Sequence, residues 1–252
     1  MNNNLIIQKI KEKHTKYNDS IESIATMYAI NDFLSKGVIN GNIQLGTITH
    51  KLSNNFTNGF TTIKTTQDII DLINKGLMNR YNNYQTIVLL YSNLEVFIDE
   101  LLEIFNLSPR TNDLQQIILE TNLWGGGSII TQNSNIVPLR VKTTVILKMY
   151  YLLNYFGDKS GGLSITFDSH AVGHLYRIAT IRNCIAHTSG FIDDENEIKL
   201  RKFKFGTINM PYIPSKGNYL EIQENQLDDH IHIFKLIIGR FISTLKDEIN
   251  LI

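Results

Sequence analysis

At 252 residues, with 42% hydrophobic and 19% charged side chains, the chain is long enough to bury a sizeable core and too apolar to stay disordered. Twenty-four basic residues balance 24 acidic ones, which excludes a polycation that coats nucleic acid by charge alone; any polyanion contact must come from a local patch. The one cysteine, Cys184, can close no internal disulfide and has no second thiol for a zinc cage, as in a reducing compartment.

The opening "MNNNLIIQKIKEKH" lacks the apolar stretch of a signal peptide, and no window reaches the roughly 18 apolar residues of a membrane span. A cytoplasmic chain without a membrane partner is expected. Within "YNDSIESIATMYAINDFLSK", Ile21, Ile24, Met27, Tyr28 and Phe33 recur at helical spacing, and Gly37 supplies a stop. From there to about residue 65, Gly, Asn and Thr alternate with short apolar stretches, which predicts a loop or small hairpin. Asp68 to Met78 reads as a short helix, and "NRYNN" (79–83) as a joint before the next element.

The strongest helical signal follows. Ile87, Tyr91, Leu94, Ile98, Leu101 and Phe105 recur in steps of three and four, and Ser108-Pro109 ends the run, giving about six turns. A shorter helix is expected in "TNDLQQIILETNLW", leading into Gly125-Gly126-Gly127, a glycine run without the Lys-Ser/Thr of a phosphate loop and better read as a connection. Another core helix spans "LRVKTTVILKMYYLLNYFG", with Val141, Val145, Met149, Leu152 and Phe156 on one stripe.

Next comes "DSHAVGHLYRIATIRNCIAHTSG", with Asp168 or Ser169 as N-cap and Gly190 as stop. Steps of about 100° gather Ile178, Ile181, Ile185 and His174 on one side and Tyr176, Asn183 and His187 on the other, with Arg182 flanking the second group. The apolar stripe therefore accounts for burial without using Arg182, Asn183 or His187. His187 falls in the last turn of the helix. An Arg and a His at such a spacing carry little weight alone; the adjacent Asn, the helix end and an upstream amphipathic helix with Glu95 in its middle add context.

In "RNCIAH" (182–187) the chain resembles the HEPN family, helical domains that include many RNA-cleaving toxins and defence nucleases and whose hallmark is an Arg and a His at short separation, often with Asn directly after the Arg. "SNLEVFIDELL" looks like the family's earlier core helix, with Glu95 as its acidic residue, and the resemblance covers roughly residues 80–252. It implies a mainly α fold there, a HEPN-like up-and-down helical bundle at 81–252, and says nothing of residues 1–80, where the residue patterns predict a helical extension; those patterns also predict short hairpins near 37–65 and 191–222. It also implies a metal-independent endoribonuclease needing no cofactor, acting on RNA as a homodimer with a composite cleft. A subgroup carries a Tyr modification site two residues beyond the His; Ser189 stands there instead, so that regulation is not implied.

The residue chemistry fits this independently. Histidine can move a proton at a 2′-hydroxyl near neutral pH. Arginine can hold two phosphate oxygens while keeping its charge. Asn183, at i, i+4 from His187, could orient the phosphate or the imidazole. Lys199, Arg201, Lys202 and Lys204, on an expected strand "IKLRKFKF" (198–205), could grip an RNA backbone, though charged edge strands also serve to prevent aggregation. Tyr176 could stack on a base or simply pack at a helix interface. No metal site is expected, since His170 and His174 have no cysteine partner and His174 falls among isoleucines. The last helix carries Leu227, Ile231, Phe234, Ile238, Phe241 and Leu245 as its core stripe, with the histidines of "HIHIF" (230–234) expected in solvent and Pro211 and Pro214 breaking up the preceding hairpin. Two other readings stay open: a non-catalytic helical binding module acting as adaptor or regulator in a defence system, and an effector held inactive by a regulatory protein through residues 1–80.

Overall fold

The computed structural model describes residues 3–43, 48–54, 57–64, 66–110, 113–114, 117–121, 127–129, 138–141, 144–159, 169–194, 200, 219–222 and 224–250. They are mainly helical. The helices are α1 (Asn3–Ile39), α2 (Thr66–Asn74), α3 (Leu77–Ile104), α4 (Thr144–Lys159), α5 (Ser169–Thr188) and α6 (Glu224–Asn250). None of them is long and apolar enough to cross a membrane.

The helix α1 starts well before the expected "YNDS" stretch because the stripe through Ile21 and Tyr28 continues upstream through Tyr17 and Ile10. Ile10, Tyr17, Ile21 and Tyr28 are buried, in steps of seven, four and seven that keep one seam facing α3. Met27 and Phe33, on the stripe read from sequence, are 57% and 69% exposed. Tyr17 stacks on Phe97 of α3 with ring centroids 4.7 Å apart. Lys13 and Lys16 reach Glu100 of α3 at 2.9 and 3.0 Å, and Glu22 pairs with Lys235 of α6. Such partly exposed pairs contribute about 0–1 kcal/mol each, whereas a buried Ile or Tyr contributes several times that, so the seam rather than the charges holds α1 down.

The joint before α3 falls at Lys75-Gly76, where Gly76 takes φ 70°, and "NRYNN" is already helix. At the other end α3 stops at Ile104, with Asn106 at φ 53°, before Pro109 is reached. Ile87, Tyr91, Leu94, Ile98 and Leu101 are all buried. They meet Val145, Met149, Leu152 and Phe156 of α4 and the full expected stripe of α6 in one hydrophobic cluster that also takes in the α1 seam.

Two stretches depart from the helical expectation. "TNDLQQIILETNLW" contributes a strand, β3 (Ile117–Thr121), at the centre of an antiparallel sheet with β4 (Gly127–Ile129) and β5 (Pro138–Val141). Ile117, Ile118 and Thr121 are β-branched, and short apolar runs read equally well at either period. Val141 thus belongs to β5, and α4 begins at Thr144. In the stretch read as loop or hairpin, β1 (Ile48–Asn54) pairs antiparallel with β2 (Thr57–Lys64), with a register shift between Leu52 and Asn54. Of the region 191–222, Phe191 and Tyr219 form one antiparallel bridge.

Candidate functional site

The surroundings of α5 change along its length. From Gly173 to Ile181 every residue is buried, because α3, α4 and β4 surround that half of the helix. Exposure returns in the last two turns, where Arg182 is partly covered and Asn183, Ala186 and His187 face solvent. Tyr176, placed by periodicity on the same side as His187, is only 7% exposed and packs in the core; it offers no open ring face for a base. A helix that leaves a crowded interior loses its two-sided pattern, which is why the angular argument fails for Tyr176 and holds for Asn183 and His187.

Arg182 is positioned by α3. Its Nη2 lies 3.4 Å from Glu95 Oε2, its Nη1 donates to Asn183 Oδ1 at 3.0 Å, and its Cζ stands 5.6 Å from the centre of the Tyr91 ring. That last distance is within the roughly 6 Å over which a ring face attracts a cation. Its Nε is buried without a hydrogen-bond partner among the described residues. Burial first, and then Glu95, holds the Tyr91 hydroxyl well above its ordinary value, with Arg182 acting the other way; the ring stays neutral. Glu95 therefore meets Arg182. Asn183 is engaged by Arg182 and not by His187.

His187 is exposed and makes no hydrogen bond or ion pair among the described residues. Five residues at 3.6 per turn set it about 140° around the helix from Arg182. In one chain the imidazole and the guanidinium point to different sides. A site using both needs a surface that spans the helix end or a second copy of it.

That helix end is tightly fixed. Gly190, at φ 83°, sends its N–H back to the Cys184 carbonyl at 3.0 Å, and a Cβ on it would overlap the Tyr84 ring. Tyr84 OH donates to Leu220 O at 2.6 Å, Asn83 Nδ2 to Ile222 O at 2.5 Å, and Leu220 N–H to Gly190 O at 2.8 Å. The start of α3, the end of α5 and the segment 219–222 are thus one hydrogen-bonded clasp. Burial pushes the Tyr84 hydroxyl up to about 12, so it remains a donor. Cys184 is buried beneath the clasp, and burial raises its thiol, which disfavours a reactive thiolate.

Lys199, Arg201, Lys202 and Lys204 lie outside the described residues, as does the expected strand apart from Leu200, which is buried. His230, expected in solvent, is buried with both ring nitrogens unpartnered among the described residues, while His232 is exposed. Its neighbours in the interior include Arg177 and His174. No three His, Cys, Asp or Glu side chains among the described residues gather as a metal site.

Sequence reasoning missed Tyr91, Tyr84, Arg177 and His230. Tyr91 had a usable signal, being one turn before Glu95 on the same helix; the others had none, since their partners lie far away in sequence. No protein-family model matches the chain, and neither a curated protein nor a solved structure does.

Proposed function

We propose that this chain is a metal-independent endoribonuclease of toxin or anti-phage defence type, built on a HEPN-like helical bundle. It cleaves RNA by attack of a 2′-hydroxyl on the adjacent phosphorus. As that O–P bond forms, the His187 imidazole takes the hydroxyl proton; as the P–O5′ bond breaks, the departing oxygen takes a proton from solvent water, and the hydroxide so formed recovers the proton held by His187, leaving a 2′,3′-cyclic phosphate and a 5′-hydroxyl. Arg182 stabilises the charge on the phosphorane oxygens, Asn183 holds the guanidinium from one side, and Glu95 with Tyr91 holds it from the other.

The observation that carries this reading is the return of exposure on α5 at Arg182, Asn183 and His187, after a stretch, residues 173–181, in which every side chain is buried. The separation of Arg182 and His187 around the helix favours a homodimer, in which a two-fold axis beside the helix end brings the His187 of one copy toward the Arg182 of the other. Digestion of total RNA in EDTA, followed by end-group analysis, tests it. Wild type yields cyclic phosphate ends and His187→Ala yields none; equal activity in the two sinks the assignment, and a strictly monomeric active protein sinks the composite cleft.

One observation favours the alternative, a non-catalytic RNA- or protein-binding module acting as an adaptor or regulator: Arg182 is already paired with Glu95 and Asn183. On that reading RNA digestion is absent in wild type, and Arg182→Ala changes stability rather than activity.

A further inference from the structure

Beside the end of α5 two aromatic rings remain in solvent. Phe191 is 40% exposed and Tyr219 47% exposed, and they meet edge to face with centroids 5.6 Å apart and planes at 74°. Arg80 of α3 places its Cζ 5.1 Å from the centre of the Tyr219 ring. The clasp fixes the chain beneath both rings. Phe191 and Tyr219 are joined by the antiparallel bridge, Leu220 is bonded to both Gly190 and Tyr84, and Phe191 N–H donates to Thr188 O at 2.9 Å. The backbone that carries both rings is therefore fixed, and Phe191 follows His187 by only four residues through a tight turn.

We propose that Phe191, Tyr219 and Arg80 form the subsite that stacks an unpaired nucleobase of the RNA beside the cleavage position. Solvent-facing rings cost hydration that nothing in the described fold recovers, whereas a base recovers it by stacking, and an adjacent guanidinium strengthens such a platform. The charges nearby decide which part of a nucleotide sits there. Asp193 and Glu221, each two residues beyond one of the rings in sequence, add negative charge to the same two chain segments, which disfavours a phosphate there and favours the uncharged base. A base inside a duplex has both faces stacked already, so the platform selects single-stranded RNA.

This rests on the ribonuclease reading of Arg182 and His187, and the test separates the two. Binding is measured by fluorescence anisotropy with 2′-O-methyl oligonucleotides, which cannot be cut by 2′-hydroxyl attack. The probes are an adenine-bearing strand, an abasic strand of equal length and a duplex. Wild type binds the adenine strand at least about fivefold more tightly than the abasic strand, the lower end of what one stacked base contributes, and more tightly than the duplex. The double variant Phe191→Leu with Tyr219→Leu keeps apolar side chains but no ring faces; it weakens binding of the adenine strand to the level of the abasic one, with an unchanged circular dichroism spectrum. Equal binding of both strands by wild type, or an undiminished preference in the double variant, overturns the platform and leaves the nuclease standing. Binding of no probe overturns both.

Discussion

Both ring nitrogens of His230 are buried without a hydrogen-bond partner among the described residues. Burial first, then the nearby Arg177 and His174, pushes its pKa down from 6.5 to about 3. Above pH 6.5 the imidazole is neutral in folded and unfolded chains alike and contributes no pH dependence. Between 6.5 and about 3 the unfolded chain takes a proton that the folded chain refuses, so stability falls as pH falls through that window. At about 1.4 kcal/mol per pH unit the loss is on the order of 2 kcal/mol by pH 5. Urea unfolding midpoints at pH 7.5 and pH 5 measure this, and His230→Leu should shrink the difference between them; an unchanged difference would place the acid sensitivity elsewhere. Arg182 and Glu95 present the opposite case. Their pair is partly exposed, so Glu95→Gln should alter stability by less than about 1 kcal/mol in the same assay, while Arg182→Ala should cost RNA cleavage with little change in the unfolding midpoint.

At the scale of elements, the clasp decides how the end of α5 is presented. Gly190 is needed twice over, for its positive φ and for the close approach of Tyr84. Gly190→Ala should destabilise the protein by about 2–4 kcal/mol, seen as a lowered melting temperature, because strain and overlap act together. Tyr84→Phe is the milder probe. It leaves the ring in place and orphans the Leu220 carbonyl, for an expected cost of about 1–2 kcal/mol. The stop at Gly190 was legible in "HTSG", since a glycine after a helical run marks a left-handed exit. Tyr84 was not legible, because nothing local to a residue reports which distant backbone it will touch. The same limit applies to "QQIILET": its short apolar run is compatible with both periods, and pairing with β4 and β5 selected the strand.

At the scale of the molecule, α1 completes the core along α3 and α6. Ile10, Tyr17, Ile21 and Tyr28 belong to the same cluster as the stripes of α3 to α6. Removing residues 1–42 would uncover Phe97 and its neighbours, so the truncated chain should lose its cooperative thermal transition by circular dichroism; a sharp two-state melt would show that α3 to α6 hold together without it. Ile21→Ala, a single cavity in that seam, should cost about 2–4 kcal/mol in the intact chain.

Sequence alone determined the helical stripes of α3, α4 and α6, the exit of α5 at Gly190, and the placing of Asn183 and His187 outside the apolar face. Each follows from a local rule: a period of 3.6, or the backbone freedom of glycine. Only the tertiary structure decided that Tyr176 and His230 would be buried, that the α1 stripe through Ile21 and Tyr28 would reach back to Ile10 and leave Met27 and Phe33 in solvent, and that Glu95 and Tyr91 would receive Arg182. Periodicity finds the side a helix can afford to bury, whereas the number of neighbours packed around it sets how much of the remainder stays in water.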